Sequence, residues 1–269
     1  MKKFWIGSGL ISALMAAAFT LASCGGSDTK TEAPKAADAG AAPAGGAAAT
    51  PDMDNGGTIT GKVAFDGTAP KMAVLDVSAN PVCAKAHATE PLRSEQVVVN
   101  GNGTLKNVFV WVVSNDALKA KTWQVPTTAV TIDQNGCEYK PHVIALMAGQ
   151  NLDIKNSDPT NHNIHPQPTV NQEFNESQAP GTPDITKTFP REEIMMPVKC
   201  NVHNWMRSYI NVVSHPFFAV TGDDGTYTIK GLPPGSYTIE IVHEKYGKQD
   251  QQVTVGAKET KTADFTVKG

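Results

Sequence analysis

Cys200-Asn201-Val202-His203-Asn204-Trp205-Met206 sets a thiol, an imidazole and a thioether on one short stretch, with the spacing C-x2-H-x2-M. Upstream, His162 offers a second imidazole. One Cys and two His, with a weak Met at longer range, form the ligand set of a mononuclear copper site, and that soft, mixed set suits both Cu(I) and Cu(II). Ligands drawn from one loop and one separate strand need a rigid frame, and a β-sandwich supplies it better than loops alone. The stretch therefore points to an all-β scaffold built around a metal that carries single electrons.

The surrounding sequence agrees with strands. From residue 57 onward no long amphipathic helix is legible. Short β-branched runs recur at 58–63, 107–113, 143–146, 152–155, 209–213, 226–229, 237–241 and 252–255, separated by Gly, Pro, Asn and Asp. Many short strands with regular turn signals indicate β-sandwich architecture. Residues 81–88 and 115–121 have the composition of short helical turns.

Two sandwiches are expected. Near the C-terminus, Asp223-Asp224-Gly225 reads as a tight hairpin turn and Leu232-Pro233-Pro234-Gly235 as a second turn with fixed φ and a Gly exit. This region resembles the carboxypeptidase regulatory-like, transthyretin-like β-sandwich. That family opens on a G-x-V-x-G strand, an Asp-Gly turn and a Pro, and Gly57-Thr58-Ile59-Thr60-Gly61-Lys62-Val63 with Asp66-Gly67 and Pro70 is similar to it. The resemblance implies a module split by an insertion, although two separate units in tandem stay open.

The intervening segment resembles the cupredoxin family, and its C-x2-H-x2-M loop is most similar to that of amicyanin. Met147-Ala148-Gly149-Gln150-Asn151-Leu152-Asp153-Ile154-Lys155-Asn156-Ser157-Asp158 looks like the family's Gly turn and following strand, leading to His162-Asn163. The resemblance implies one mononuclear type-1 copper held by His162, Cys200, His203 and the axial Met206. It implies that Asn163 ties the His162 strand to the Cys200 loop, and that Trp205 flanks the metal, shaping a docking surface or shielding the site from water. His165 competes with His162, but positions 162 and 165 fall on opposite faces of a strand and only one can meet the loop. Met195 and Met196 read as core, where Met commonly fills gaps. His87, His142, His215 and His243 read as surface or hydrogen-bonded groups. Zinc, the chemical rival, usually takes several Cys in structural sites.

The N-terminus reads as an export signal. Lys2 and Lys3 precede an apolar stretch at 4–20, which ends in Leu21-Ala22-Ser23-Cys24. The last four residues resemble the lipobox of bacterial lipoproteins, implying lipidation of Cys24 and a membrane anchor. Gly25 favours the outer membrane, with the folded part facing the periplasm or the cell surface. Residues 25–56 are Gly, Ala, Pro, Thr and Asp with almost no large apolar side chains, a composition that cannot offset its own ordering entropy. In an oxidising compartment Cys83 and Cys137 are expected to pair; a second metal site made from Cys83, His87, Cys137 and His142 is the other option. The expected organisation is a signal peptide at 1–23, a tether at 24–56, early strands of the split sandwich at 57–125, a cupredoxin domain at 126–215 and the remaining regulatory-like strands at 216–269. The fold class is all-β: a Greek-key cupredoxin sandwich plus a small transthyretin-like one.

Of the 269 residues 18% are charged and the formal net charge is −3, with no basic cluster, so nothing points to nucleic acid. Four protein ligands leave no open position for a substrate, and no Ser-His-Asp context or phosphate loop is present, so no enzyme is expected. The leading expectation is an envelope electron carrier that exchanges electrons with a redox protein such as a cytochrome through an exposed edge of His203. Copper storage, delivery or resistance is the second reading, and adhesion or carbohydrate binding through the regulatory-like sandwich the third.

Overall fold

An unbroken apolar run such as Phe109-Val110-Trp111-Val112 needs burial on both faces of its strand. The computed structural model describes residues 48–269 and gives this run two different cores. Val108, Val110 and Val112 enter one, and Phe109 and Trp111 enter another. The signal peptide, Cys24 and the tether as far as residue 47 lie outside the described residues.

The chain begins with β1 (Gly57–Asp66), α1 (Pro81–Ala86), β2 (Phe109–Val112) and α2 (Asp116–Lys119). It continues through β3 (Val130–Gln134), β4 (Tyr139–Lys140), β5 (Val143–Met147), β6 (Asn151–Asn156), β7 (His162–Pro166), β8 (Glu176–Gln178), β9 (Ile185–Thr188), β10 (Glu193–Lys199) and β11 (Arg207–Val213). It closes with β12 (Phe218–Val220), β13 (Thr226–Leu232), β14 (Gly235–His243), β15 (Gly247–Val255), β16 (Thr260–Thr262) and β17 (Phe265–Lys268).

These strands build two sandwiches. In the first, β1 pairs with β13, β16 and β17, and this sheet faces a second of order β12-β2-β14-β15. Ile59, Val63, Val110, Ile229, Ile239, Ile241 and Val267 fill the space between. Its strands thus come from both ends of the described chain. The second sandwich uses β3 to β11, as sheets of order β5-β11-β10-β7-β8 and β4-β3-β6-β9 around Ile132, Leu152, Ile154, Ile164, Val198, Ile210 and Val212. The parallel pair β3–β6 requires a crossover, and the chain makes it through β5 on the opposite sheet.

The two inner sheets meet across a third cluster: Phe109, Trp111 and Val242 from the first sandwich, Val143 and Val213 from the second. β2 and β5 are therefore covered on both faces, which accounts for their continuous hydrophobicity, whereas β11 and β14 are buried on both faces only toward their C-terminal ends.

Two expectations are corrected. The Asp223-Asp224-Gly225 turn is not a hairpin. It carries the chain from β12 in one sheet to β13 in the other. Gly225 has φ +66°, and a Cβ there would lie 2.1 Å from Thr104 Oγ1, so the residue type is set by the crossing. The tether does not extend to residue 56. Ala49 bridges to Trp123, and Asp52 N–H donates to the Gly231 carbonyl. Backbone hydrogen bonds thus fix a segment that its composition alone would leave loose.

Among the described residues, no helix is long and apolar enough to cross a membrane.

Candidate metal centre

The site forms at one end of the second sandwich, where β7 delivers His162 and the β10–β11 loop delivers Cys200, His203 and Met206. The loop closes on itself: Met206 N–H donates to the His203 carbonyl (3.0 Å) and Cys200 N–H to the Met206 carbonyl (3.3 Å). The His203 N–H points back at Cys200 Sγ, 3.4 Å away.

Three strong donors converge. His162 Nδ1 is 2.8 Å from His203 Nδ1, and Cys200 Sγ is 3.8 Å from His203 Nδ1. All three side chains are buried, and their ligand atoms lie within 4.8 Å of one another. Met206 is buried in the same core cluster as Cys200. A thiol and two imidazole nitrogens in one pocket fit the donor set of a copper ion.

Asn163 joins the two ligand-bearing segments. Its Oδ1 accepts from the backbone N–H of Asn201 (2.6 Å) and Val202 (3.2 Å) and lies 3.3 Å from Cys200 Sγ. Tyr139 fixes the same residue from behind, donating its hydroxyl to the Asn163 carbonyl (2.6 Å). His165 points away, toward Asn201 Oδ1 and Glu173 Oε1. Met196 is buried in the sandwich core, and Met195 packs at the junction between the sandwiches.

Electrostatics favour a thiolate. Burial opposes the charge on Cys200, but hydrogen bonds from His162 and from the backbone N–H groups of Asn163, His203 and Val202 outweigh it and hold the thiol below its ordinary value. His162 is raised: burial opposes protonation, and hydrogen bonds with Asp158 and Cys200 prevail. Burial, together with the neighbouring His162, pushes His203 down to about 4.

Asp158 was legible only as the end of a strand segment, yet it organises the site. Its carboxylate accepts from the N–H of Gly136 and Cys137 (both 2.7 Å) and from His162 Nε2 (2.9 Å). A carboxylate on the far nitrogen fixes the tautomer and leaves the near nitrogen's lone pair free for a metal. The available signal was its place four residues before His162, a carboxylate within reach of an expected imidazole ligand.

The exposed edge expected for His203 is absent. The residue is 2% exposed and lies beneath a cap formed by residues 74–93. This segment is closed by the Val74–Arg93 bridge and carries α1. Asn80 Nδ2 sits 2.8 Å from His203 Nε2, and Cys83 Sγ 3.9 Å from the same atom. The chain before residue 126, for which the metal-loop resemblance supplied no role, therefore provides the cover. Cys83 and Cys137 are joined in a disulfide that ties α1 to the second sandwich. Trp205 reinforces the seam, donating Nε1–H to the Cys137 carbonyl (3.0 Å) with its ring centroid 4.9 Å from that of His203.

That disulfide removes the second metal site considered for Cys83, His87, Cys137 and His142. His87 Nε2 instead meets the Gly136 carbonyl at 2.7 Å, and His142 Nε2 meets Glu244 at 2.5 Å. Of the other histidines, His215 and His243 are buried, each accepting backbone N–H bonds at Nδ1.

Residues 210–268 match the carboxypeptidase regulatory-like domain, a stretch that starts inside β11 and runs through β17. No curated protein matches the chain. Among solved structures, the copper-containing nitrite reductase of Thermus scotoductus is similar at 19% identity and TM-score 0.30, over 37% of this chain and 27% of that one. The chain thus spans about a quarter of the reductase's length. A purple cupredoxin of Nitrosopumilus maritimus is 19% identical with TM-score 0.27, over 31% of this chain and 98% of its own. Amicyanin of Paracoccus versutus is 20% identical with TM-score 0.29, over 38% and 96% respectively.

Proposed function

We propose that this chain binds one type-1 copper ion through His162, Cys200 and His203, with Met206 as the weak axial group, and uses it to carry single electrons. The observation that supports the reading is the burial of one sulfur and two imidazole Nδ1 atoms in a single pocket. Bound copper would supply a one-electron couple. The protein's part is to hold the ligands in place through Asn163, Tyr139 and Asp158, and to exclude water through Trp205 and the cap.

In this reading the chain is an exported lipoprotein anchored through Cys24, with the outer membrane favoured. Its partner is another redox protein such as a cytochrome, and it is not itself an enzyme.

The buried edge of His203 favours a second reading, in which the same ligands store or deliver copper without redox turnover. The two separate on one measurement. Adding Cu(II) to the purified protein is expected to give an intense visible thiolate-to-copper band that bleaches with ascorbate and returns with oxidant. A band absent from the parent protein, or retained in Cys200→Ser, sinks the type-1 assignment. Binding without reversible cycling leaves storage or delivery.

A further inference from the structure

His203 is covered, but the aromatic residue beside it is not. The Trp205 ring lies 4.9 Å from the His203 imidazole, centroid to centroid, and is partly exposed. Its Nε1–H donates to the Cys137 carbonyl (3.0 Å), and the ring packs against Val77, Leu92 and the disulfide, so its position is fixed. The same ring lines a cleft between the ligand loop, the cap and the seam of the two sandwiches. On the cap side the imidazole meets the saturated side chains of Asn80 and Cys83. On the Trp205 side it meets a delocalised ring that reaches solvent.

Tunnelling weakens exponentially with distance, so an aromatic bridge from the buried imidazole to water shortens the last step to an outside acceptor. The charges at the cleft narrow what that acceptor is. Arg93 and Arg207 line it and are exposed. Arg93 donates to the Met72 carbonyl (3.2 Å), and among the described residues no carboxylate pairs with either guanidinium. The carboxylates of the cleft are less exposed and already engaged: Glu138 with Lys140 (2.8 Å), Glu244 and Glu95 with His142 (2.5 and 3.9 Å). An unpaired cationic rim draws an anionic surface and sets the orientation in which it docks.

We propose that electrons pass between the copper site and its partner through Trp205 and this cleft, and that Arg93 and Arg207 select a redox protein with an acidic docking face. The proposal rests on the copper reading given above and deepens it. In each transfer one electron leaves the reduced site and reduces the acceptor by one; no bond forms or breaks and no proton moves. The cap then has a second consequence. By covering the His203 edge it leaves Trp205 as the way in, so the cleft face of the protein meets partners and the face over α1 does not.

The test uses the full-length protein in nonionic detergent. Hexacyanochromate(III), a redox-inert paramagnetic anion, is expected to broaden the amide signals of Arg93, Asn204 and Arg207 and the Trp205 indole N–H, with or without metal. In Arg93→Glu/Arg207→Glu that broadening is lost. Stopped-flow oxidation of the copper-loaded, ascorbate-reduced protein then compares an anion, ferricyanide, with a cation, tris(phenanthroline)cobalt(III). At low salt the double arginine variant should react about tenfold more slowly with the anion and faster with the cation, with its thiolate band and reduction potential unchanged. Trp205→Leu should slow both oxidants by one common factor. Trp205→Phe, which keeps a ring but no Nε1–H, should recover most of the rate. Broadening centred on α1 around Lys85 overturns the proposal, as do rates indifferent to charge reversal or to loss of the ring, and each leaves the copper reading intact. A thiolate band that is missing, or that survives Cys200→Ser, overturns both.

Discussion

The two sandwiches share an architecture and differ in what they bury. The first fills its interior with Val, Ile, Leu, Phe, Trp and Tyr. The second closes one end over His162, His203, Asn163 and Cys200, with Gln134 and Gln178 hydrogen-bonded to each other behind them (2.8 Å). Hydrocarbon burial is non-directional and tolerates repacking, whereas buried polar groups are stable only while each keeps its partner. The first sandwich thus behaves as a scaffold whose strands bracket the other in sequence, and the second concentrates the chemistry. Damage to the two should separate stability from metal binding.

The largest effect is expected in the scaffold. Phe217 is fully buried and stacks edge-on against Trp123 with centroids 4.9 Å apart. Phe217→Ala should cost about 4 kcal/mol of unfolding free energy by loss of transfer energy and creation of a cavity. Metal affinity of the folded protein should be unchanged. Urea unfolding alongside a metal titration checks this, and a matching loss of affinity would erase the division between the sandwiches.

Asn163→Ala should do the reverse. It strands the N–H groups of Asn201 and Val202 and removes the neighbour of Cys200 Sγ, at a cost of about 2 kcal/mol. The greater consequence is a 10- to 100-fold fall in metal affinity, since the loop loses its tie to β7. Competition with a chelator measures it. A stability loss with affinity intact would make Asn163 a packing residue only.

The same contrast explains what the sequence disclosed. Periodicity and turn residues expose strands, and the runs at 58–63, 107–113 and 237–241 fall in β1, around β2 and in β14. The ligand loop was legible because Cys200, His203 and Met206 are close in sequence and rare in type. Long-range polar contacts leave no such trace. Asn80-Pro81 announces a helix start, but nothing in the sequence says that its amide meets a histidine 123 residues away. The Asp223-Asp224-Gly225 turn was misread for a related reason: its residues satisfy a backbone shape, and that shape serves a sheet-to-sheet crossing as well as a hairpin.

The smallest effect sharpens the comparison at the seam between the sandwiches. His142, just before β5, sets Nε2 2.5 Å from Glu244 Oε1, just past β14, and Nδ1 3.9 Å from Glu95 Oε2, at the margin of the cap. Burial opposes its protonation, but the hydrogen bond and charge of Glu244, then Glu95, outweigh it and hold His142 above its ordinary value of 6.5. A group raised on folding binds its proton more tightly in the native state. Its contribution is therefore complete below about pH 6.5 and disappears as pH climbs through the higher folded value. The metal-free protein should lose stability across that interval as the charged hydrogen bond to Glu244 is given up. His162 is raised too and contributes with the same sign, so the parent's pH profile alone does not isolate the seam. The difference between parent and Glu244→Gln does. Urea midpoints measured from acid to alkaline pH should converge at high pH and separate at low pH, with the parent more stable. Parallel curves would mean that the ion pair adds nothing to a seam held by the apolar contact of Phe109, Trp111, Val143 and Val213 and by the hydrogen bond from Ser114 to Glu192.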